Sequence, residues 1–275
     1  MYIFSVPGIA KNFLDRNLPL AEPFLVKSAN GLTGHPHRGD KPLRLVLMSV
    51  CGFPEVEHFQ ALVRMYRSFS QAVEMPIAGE LLRPASEALP IGPNLGSPYQ
   101  ISMDAFKTAG RELVRQGFVS RATELAVSTP LFRDVETFHT VANVQWHVQI
   151  DYAKAKKQGQ DLPRLGEYMA KIPAVTLAGM ASSYNPDKAG DFGGVIQFDV
   201  TGDHPGWHYL EIKDGRCAYH EGRAGNPGVI IHTPWDVWQA VSQGQISGQD
   251  AFMQGKYTAE GDLSLLMGMS QAFGR

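Results

Sequence analysis

Hydrophobic and polar positions keep two different rhythms in the two halves of this 275-residue chain. In the first half, a short apolar run at residues 2–6 ends at Pro7-Gly8, and residues 9–18 can form a helix with Ile9, Phe13 and Leu14 on one side. Residues 21–42 are loop-like, rich in Pro, Gly and His. Residues 43–50 are then nearly all apolar and bounded by turn residues, which predicts a parallel strand covered on both faces. Cys51-Gly52-Phe53-Pro54 ends this strand, and Pro54 suits the first position of a helix. Val56, Phe59, Leu62, Val63, Tyr66 and Phe69 come next at helical spacing. Residues 75–82 read as a further strand. Alternating strand and helix implies right-handed crossovers and an α/β sheet. Residues 84–100 hold Pro84, Pro90, Pro93 and Pro98 and predict an irregular connection. Helices are expected at about 102–117, 120–128 and 134–158, with Ser120 and Glu124 as a start signal for the second.

The rhythm changes after a polar, lysine-rich stretch at residues 154–162, followed by Pro163. This predicts two domains, 1–160 and 161–275. The second opens with a helix over 164–182 that Pro173 should kink or split. Ile196, Phe198 and Val200 alternate with polar neighbours, as do His208, Leu210 and Ile212, so each set lines one face of a strand. Asp214-Gly215 is a hairpin turn between two such strands. Residues 216–222 make the return strand and 229–232 a fourth. Two helix starts come after it. Thr233-Pro234-Trp235-Asp236 places a cap, a proline and an acid in order, and Ser247-Gly248-Gln249-Asp250 repeats the device. Asp262 can cap a last helix whose apolar side holds Leu265, Leu266, Met269 and Phe273.

Composition narrows the reading. The chain is 44% hydrophobic and 19% charged, with a formal net charge of −2. It can build ordinary cores, and it offers neither a basic footprint for nucleic acid nor a polybasic patch for a membrane. An apolar run long enough to span a bilayer, roughly 20 residues, is missing. Cys51 and Cys217 form no metal motif and no disulfide framework, which fits a reducing cytoplasm. His35-Pro36-His37 supplies two of the three or four ligands zinc prefers and reads as an exposed loop. The motifs of serine hydrolases, P-loop enzymes and zinc proteases do not occur.

Phe252-Met253-Gln254-Gly255-Lys256, Gly261-Asp262, the preceding strand meander and the strand running into residues 233–244 together resemble the sterol carrier protein 2 (SCP2) family. The resemblance implies an α+β domain with a curved, mostly antiparallel sheet, helices on one face, and a tunnel for a sterol or fatty-acyl lipid. Met169, Leu177, Phe198, Leu210, Trp238, Phe252, Leu266 and Met269 are the side chains it would set around a lipid. Such residues form the core of any domain of this size, so the tunnel is implied by the resemblance alone. Lys256 and Asp262 are expected to serve a turn and a helix cap.

The first half resembles the latter part of flavodoxin-like NAD(P)H-dependent FMN oxidoreductases. The matching elements are Tyr2-Ile3-Phe4-Ser5-Val6-Pro7-Gly8, Lys11, Phe13-Leu14-Asp15-Arg16, Ser49-Val50-Cys51-Gly52-Phe53-Pro54-Glu55, Ala109-Gly110-Arg111-Glu112-Leu113-Val114 and Asn143-Val144-Gln145-Trp146. That family's first strand and hydroxyl-rich phosphate loop have no counterpart here. The expectation is a partial flavodoxin-like parallel sheet with no cofactor of its own, binding FMN only if a preceding segment exists. Ser5, Pro7, Gly8, Cys51, Gly52 and Phe53 would then flank the flavin ring; otherwise they are tight strand-to-helix turns and Cys51 is a small buried hydrophobe. The first functional expectation is therefore binding or transfer of a hydrophobic small molecule, with no catalytic residue. The alternative is a flavin-dependent oxidoreductase whose second part holds a hydrophobic substrate. A third is assembly, with a homodimer or partner covering the incomplete sheet.

Overall fold

The computed structural model describes residues 7–16, 21–27, 31–36, 38 and 43–273. The chain divides into two compact units, Met1–Leu131 and Phe132–Arg275. The polar stretch at 154–162 therefore lies inside the second unit, between two of its helices, and the expected boundary at 160 does not coincide with the division. The long helix at 135–157 belongs to the second unit because it packs on the next two helices in the chain.

In the first unit, α1 (Gly8–Asp15) buries none of its residues, and Ile9 and Phe13 are exposed rather than turned to a core. The expected strand at 2–6 lies outside the described residues. The two-residue strands β1 (Val26–Lys27) and β2 (Thr33–Gly34) pair antiparallel. Then β3 (Leu45–Val50) runs parallel to β4 (Ile77–Arg83). The crossover holds a 3₁₀ turn (Val56–Phe59) and α2 (Gln60–Ala72), so Pro54 precedes the helix without opening it. A second 3₁₀ segment (Ser86–Leu95) leads into α3 (Ser97–Gln116), whose start takes up Pro98, and α4 (Arg121–Val127) comes next. Ser120 caps α4 by accepting from the Thr123 amide.

β4 is covered on both sides. Leu82 joins Leu47, Cys51, Phe59 and Leu62, while Leu81 joins Ala105, Ala109, Val119 and Val127. β3 is not covered on both faces as its apolar run predicts. Leu47 is buried, but Val46, Met48 and Val50 are exposed. The physical reason is that α4 packs on β4, leaving the far side of β3 without a helix among the described residues.

Arg83 closes β4 and is 1% exposed. Its Nε donates to Pro84 O at 2.7 Å, and its Nη1 to Ser102 Oγ at 2.9 Å and Val127 O at 2.7 Å. Val127 ends α4, so the guanidinium sits at the negative end of a helix. Burial lowers its pKa to about 10.

In the second unit, α5 (Val135–Lys157) packs on α6 (Leu165–Ala170) and α7 (Pro173–Ser183). Pro173 splits the expected 164–182 helix in two. After α8 (Pro186–Ala189) come β5 (Gly194–Thr201), β6 (Gly206–Lys213), β7 (Arg216–Glu221), β8 (Val229–Pro234), α9 (Trp235–Ser242), α10 (Gly248–Met253), β9 (Thr258–Gly261) and α11 (Leu263–Ala272). The sheet order is β7-β6-β5-β8-β9, antiparallel except for the parallel pair β5–β8. Asp214 and Gly215 take φ of 51° and 69° in the β6–β7 turn, the left-handed conformations a two-residue hairpin needs. Ser247 and Asp262 cap α10 and α11 through the Asp250 and Ser264 amides. Thr233 is no cap. It ends buried in β8, its hydroxyl donates to Pro234 O, and α9 starts one residue later than expected.

Two substitutions test this framework. Arg83→Ala removes three hydrogen bonds and leaves a cavity, and should lower the unfolding free energy by about 3 kcal/mol in urea titrations; an unchanged midpoint would show that the clamp is dispensable. Gly261 has φ +101°, and a Cβ there would land on Gly228 O beside Val229 Cα. Gly261→Ala should therefore cost roughly 2–4 kcal/mol by the same measurement, whereas Gly255→Ala, where a Cβ meets nothing within 4 Å, should cost less.

Candidate ligand-binding site

Strand alternation sorts the five-stranded sheet into two chemically distinct faces. Registered pairs put Ile196, Phe198 and Val200 of β5, His208, Leu210 and Ile212 of β6, Cys217 and Tyr219 of β7, and Val229, Ile231 and Thr233 of β8 on one face. All of these are buried. Helix α7 lies over β6 and β7, α9 over β8, and α11 over β5 and β8. They bring Leu177, Ala178, Ala181, Trp235, Trp238, Met269 and Ala272, all buried, to the helix layer. Gly194 and Gly228 allow α11 close in, since a Cβ on Gly228 would stand 2.6 Å from Leu265 Cδ1.

At the centre is an aromatic cluster. Trp238 meets Phe198 edge-on at 5.0 Å between ring centroids and Tyr257 at 5.8 Å, and Phe252 lies 5.5 Å from Tyr257. Polar groups on this face are few. His208 Nδ1 is hydrogen-bonded to the Tyr219 hydroxyl at 2.8 Å, with the two rings stacked. Burial lowers the His208 pKa, raises that of Tyr219, and pushes the Cys217 thiol up to about 12. All three groups are therefore neutral near pH 7 and suit an apolar interior.

The sequence-predicted lipid residues fall into two sets. Leu177, Phe198, Leu210, Trp238 and Met269 are buried in this interior, and Phe252 joins it half-buried through Tyr257. Leu266 on α11 and Met169 on α6 are half-buried. The set of lipid residues drawn from the sequence omits Trp235, His208 and Tyr219. The alternation of His208 with Leu210 in β6 and the place of Trp235 just after β8 were the available signals, while Tyr219 follows from the pairing of β7 with β6.

The opposite face is polar. Gln197 is 1% exposed, donating to His208 O and Gly222 O and accepting from the Ala224 amide, so it pins the 222–224 loop over the sheet. His232 Nδ1 lies 2.9 Å from Asp199 Oδ2, and its Nε2 3.8 Å from Glu260. Arg223 stacks on Trp207, and Tyr209 on His220. No group of three His, Cys, Asp or Glu able to hold a metal occurs among the described residues.

The residues expected to flank a flavin fall on two segments of the first unit. Ser5 lies outside the described residues. Pro7 and Gly8 open α1 and are exposed. Cys51, Gly52 and Phe53 form the turn after β3, tied to the β4 exit by Ser86 N donating to Cys51 O and Ala85 N to Phe53 O. Cys51 faces the core with Phe59 and Leu62. A Cβ on Gly52 would stand 3.1 Å from Glu87 Oε1, so a carboxylate lies beside this turn.

Among the described residues no helix is long and apolar enough to cross a membrane. No curated protein matches the chain. Among solved structures, sterol carrier protein 2 like 2 from Aedes aegypti is 21% identical, covering 30% of this chain and 76% of its own, with a TM-score of 0.27. Sterol carrier protein 2 from Yarrowia lipolytica, in its apo form, is 14% identical, covering 37% and 92%, with a TM-score of 0.32. The inverting sec-alkylsulfatase Pisa1 from Pseudomonas sp. is 13% identical, covering 68% of this chain and 27% of its own, with a TM-score of 0.36. The model of the SCP-2 sterol transfer family matches residues 174–274 and leaves 1–173 outside it. That match runs from α7 through α11.

Proposed function

We propose that residues 174–274 form an SCP2 domain that binds a hydrophobic small molecule, a sterol or fatty-acyl lipid, between its helix layer and the buried face of its five-stranded sheet, and carries it through water. The observation that supports this reading most is that the family match falls on β5 to β9 and α7 to α11, the elements that build this apolar interior. The driving force is exclusion of apolar surface from water, about 0.8 kcal/mol per buried methylene, set against the cost of immobilising the ligand. Aliphatic and aromatic walls discriminate poorly between ligands close in size, since a single methylene changes binding only modestly. The imidazole on this face is held by Tyr219 and kept neutral by burial, a structural pair rather than an acid–base catalyst.

Titration with fatty-acyl probes of increasing length tests the reading. Affinity should rise roughly tenfold for every two methylenes until the interior is filled. A folded protein that takes up neither an acyl probe nor a fluorescent sterol would overturn the proposal. The interior should also have an acid limit. The folded-state pKa of His208 lies below its ordinary value of 6.5, so the unfolded chain binds the extra proton first. Stability is then full above about pH 6.5 and declines as pH falls through the folded value. Urea midpoints measured from about pH 8 down to 5 should show this decline, and His208→Gln should flatten it.

A further inference from the structure

The two tryptophans of α9 say what the ligand carries in addition to its apolar body, an inference that rests on the lipid-binding reading above. Trp235 and Trp238 stand three residues apart, so both indoles leave the same side of the helix. They are 5% and 4% exposed. Neither Nε1–H has a hydrogen-bond partner in the protein. Indole nitrogen is a donor only, and a buried donor left unpaired is rare because it gives up its bond to water for nothing.

The neighbouring hydroxyls are already directed elsewhere. Thr233 donates to Pro234 O at 2.9 Å and Tyr257 to Gly248 O at 3.0 Å. The carbonyls of β5 and β8 belong to the sheet ladder. Around Trp238 stand the rings of Phe198 and Tyr257, and a ring face is a weak acceptor. The buried sheet face presents aliphatic and aromatic side chains, a cysteine, a threonine and a neutral imidazole, with no lysine or arginine on its paired positions of β5, β6, β7 and β8 and one exposed carboxylate, Glu221, at its β7 edge.

From this we infer that the domain takes a lipid bearing a neutral carbonyl oxygen, an ester or a ketone, and that the Trp235 and Trp238 indole N–H groups donate to it. A carbonyl oxygen has two lone pairs and accepts both donors. A carboxylate fits less well, because it would enter as a buried negative charge without a cation on that face. A bare hydrocarbon leaves both donors as they are.

The full chain, labelled with nitrogen-15 at its indoles, is titrated with methyl dodecanoate, dodecanoate and tetradecane. The Trp235 and Trp238 indole protons, assigned by Trp→Phe variants, should move downfield with the ester and stay in place with tetradecane. Those of Trp146 and Trp207 should not respond. By calorimetry the ester should bind on the order of tenfold more tightly than tetradecane, and more tightly than dodecanoate. Trp235→Phe and Trp238→Phe keep a ring and drop the N–H. Each should weaken the ester roughly threefold to tenfold more than it weakens tetradecane, whose own change measures the packing lost with the smaller ring. Equal binding of ester and tetradecane, or equal indole shifts with both, overturns the inference while the lipid-binding reading stands. Absence of binding by all three probes to the folded protein overturns both. An indole proton of Trp238 already shifted upfield by the Tyr257 ring, and unmoved by the ester, would assign that donor to the ring and overturn its role.

Discussion

A β-sheet offers two faces, and a single layer of helices can dry only one of them. In the second unit that choice falls on the face of Ile196, Phe198 and Val200, and the rest of the unit is arranged around it. β5 is central, holding β6 on one edge and β8 on the other. The helices that cover it present small residues where they must come close, Ala178 and Ala181 on α7 and Ala272 on α11, and large rings at the centre. The opposite face keeps its polar contacts, with His232 between Asp199 and Glu260.

Burying polar groups is handled in two ways. Arg83 and Gln197 are each tied to backbone carbonyls by several donors, so they act as internal clamps, one joining β4 to α3 and α4, the other joining the sheet to the 222–224 loop. His208 and Tyr219 satisfy each other. The indoles of α9 fit neither pattern: their single donors have no partner, whereas Arg83 keeps three hydrogen bonds although its Nη2 has none.

Much of the second unit was legible in the chain. Period-two alternation located β5 and β6, because one wet and one dry face leave that signature, and the hairpin turn after β6 located β7. Asp214-Gly215, Pro173, Ser247 and Asp262 each marked a boundary through a backbone requirement local to the residue. The first unit was less readable. The run at 43–50 has the composition of a strand buried on both faces, yet only β4 gained that cover; which strand a helix lies on is a tertiary fact that no local pattern encodes. Thr233-Pro234 spelled a helix start, but the β8 ladder claimed Thr233, tertiary pairing overriding a local signal. The residues set around a lipid by resemblance include five that are buried together, while Met169 and Leu266 sit at half-buried helix positions where periodicity could not tell inside from edge.

The parallel pairing of β5 with β8 has a kinetic corollary. β5, β6 and β7 meet through short turns and can zip as a meander, each step closing a small loop. β8 must instead cross behind that meander to reach the free edge of β5, and only then can β9 and its glycine settle against it. Chain-closure entropy is spent before these long-range bonds return anything. This connectivity predicts that the apolar interior closes last, with the segment from β8 onward.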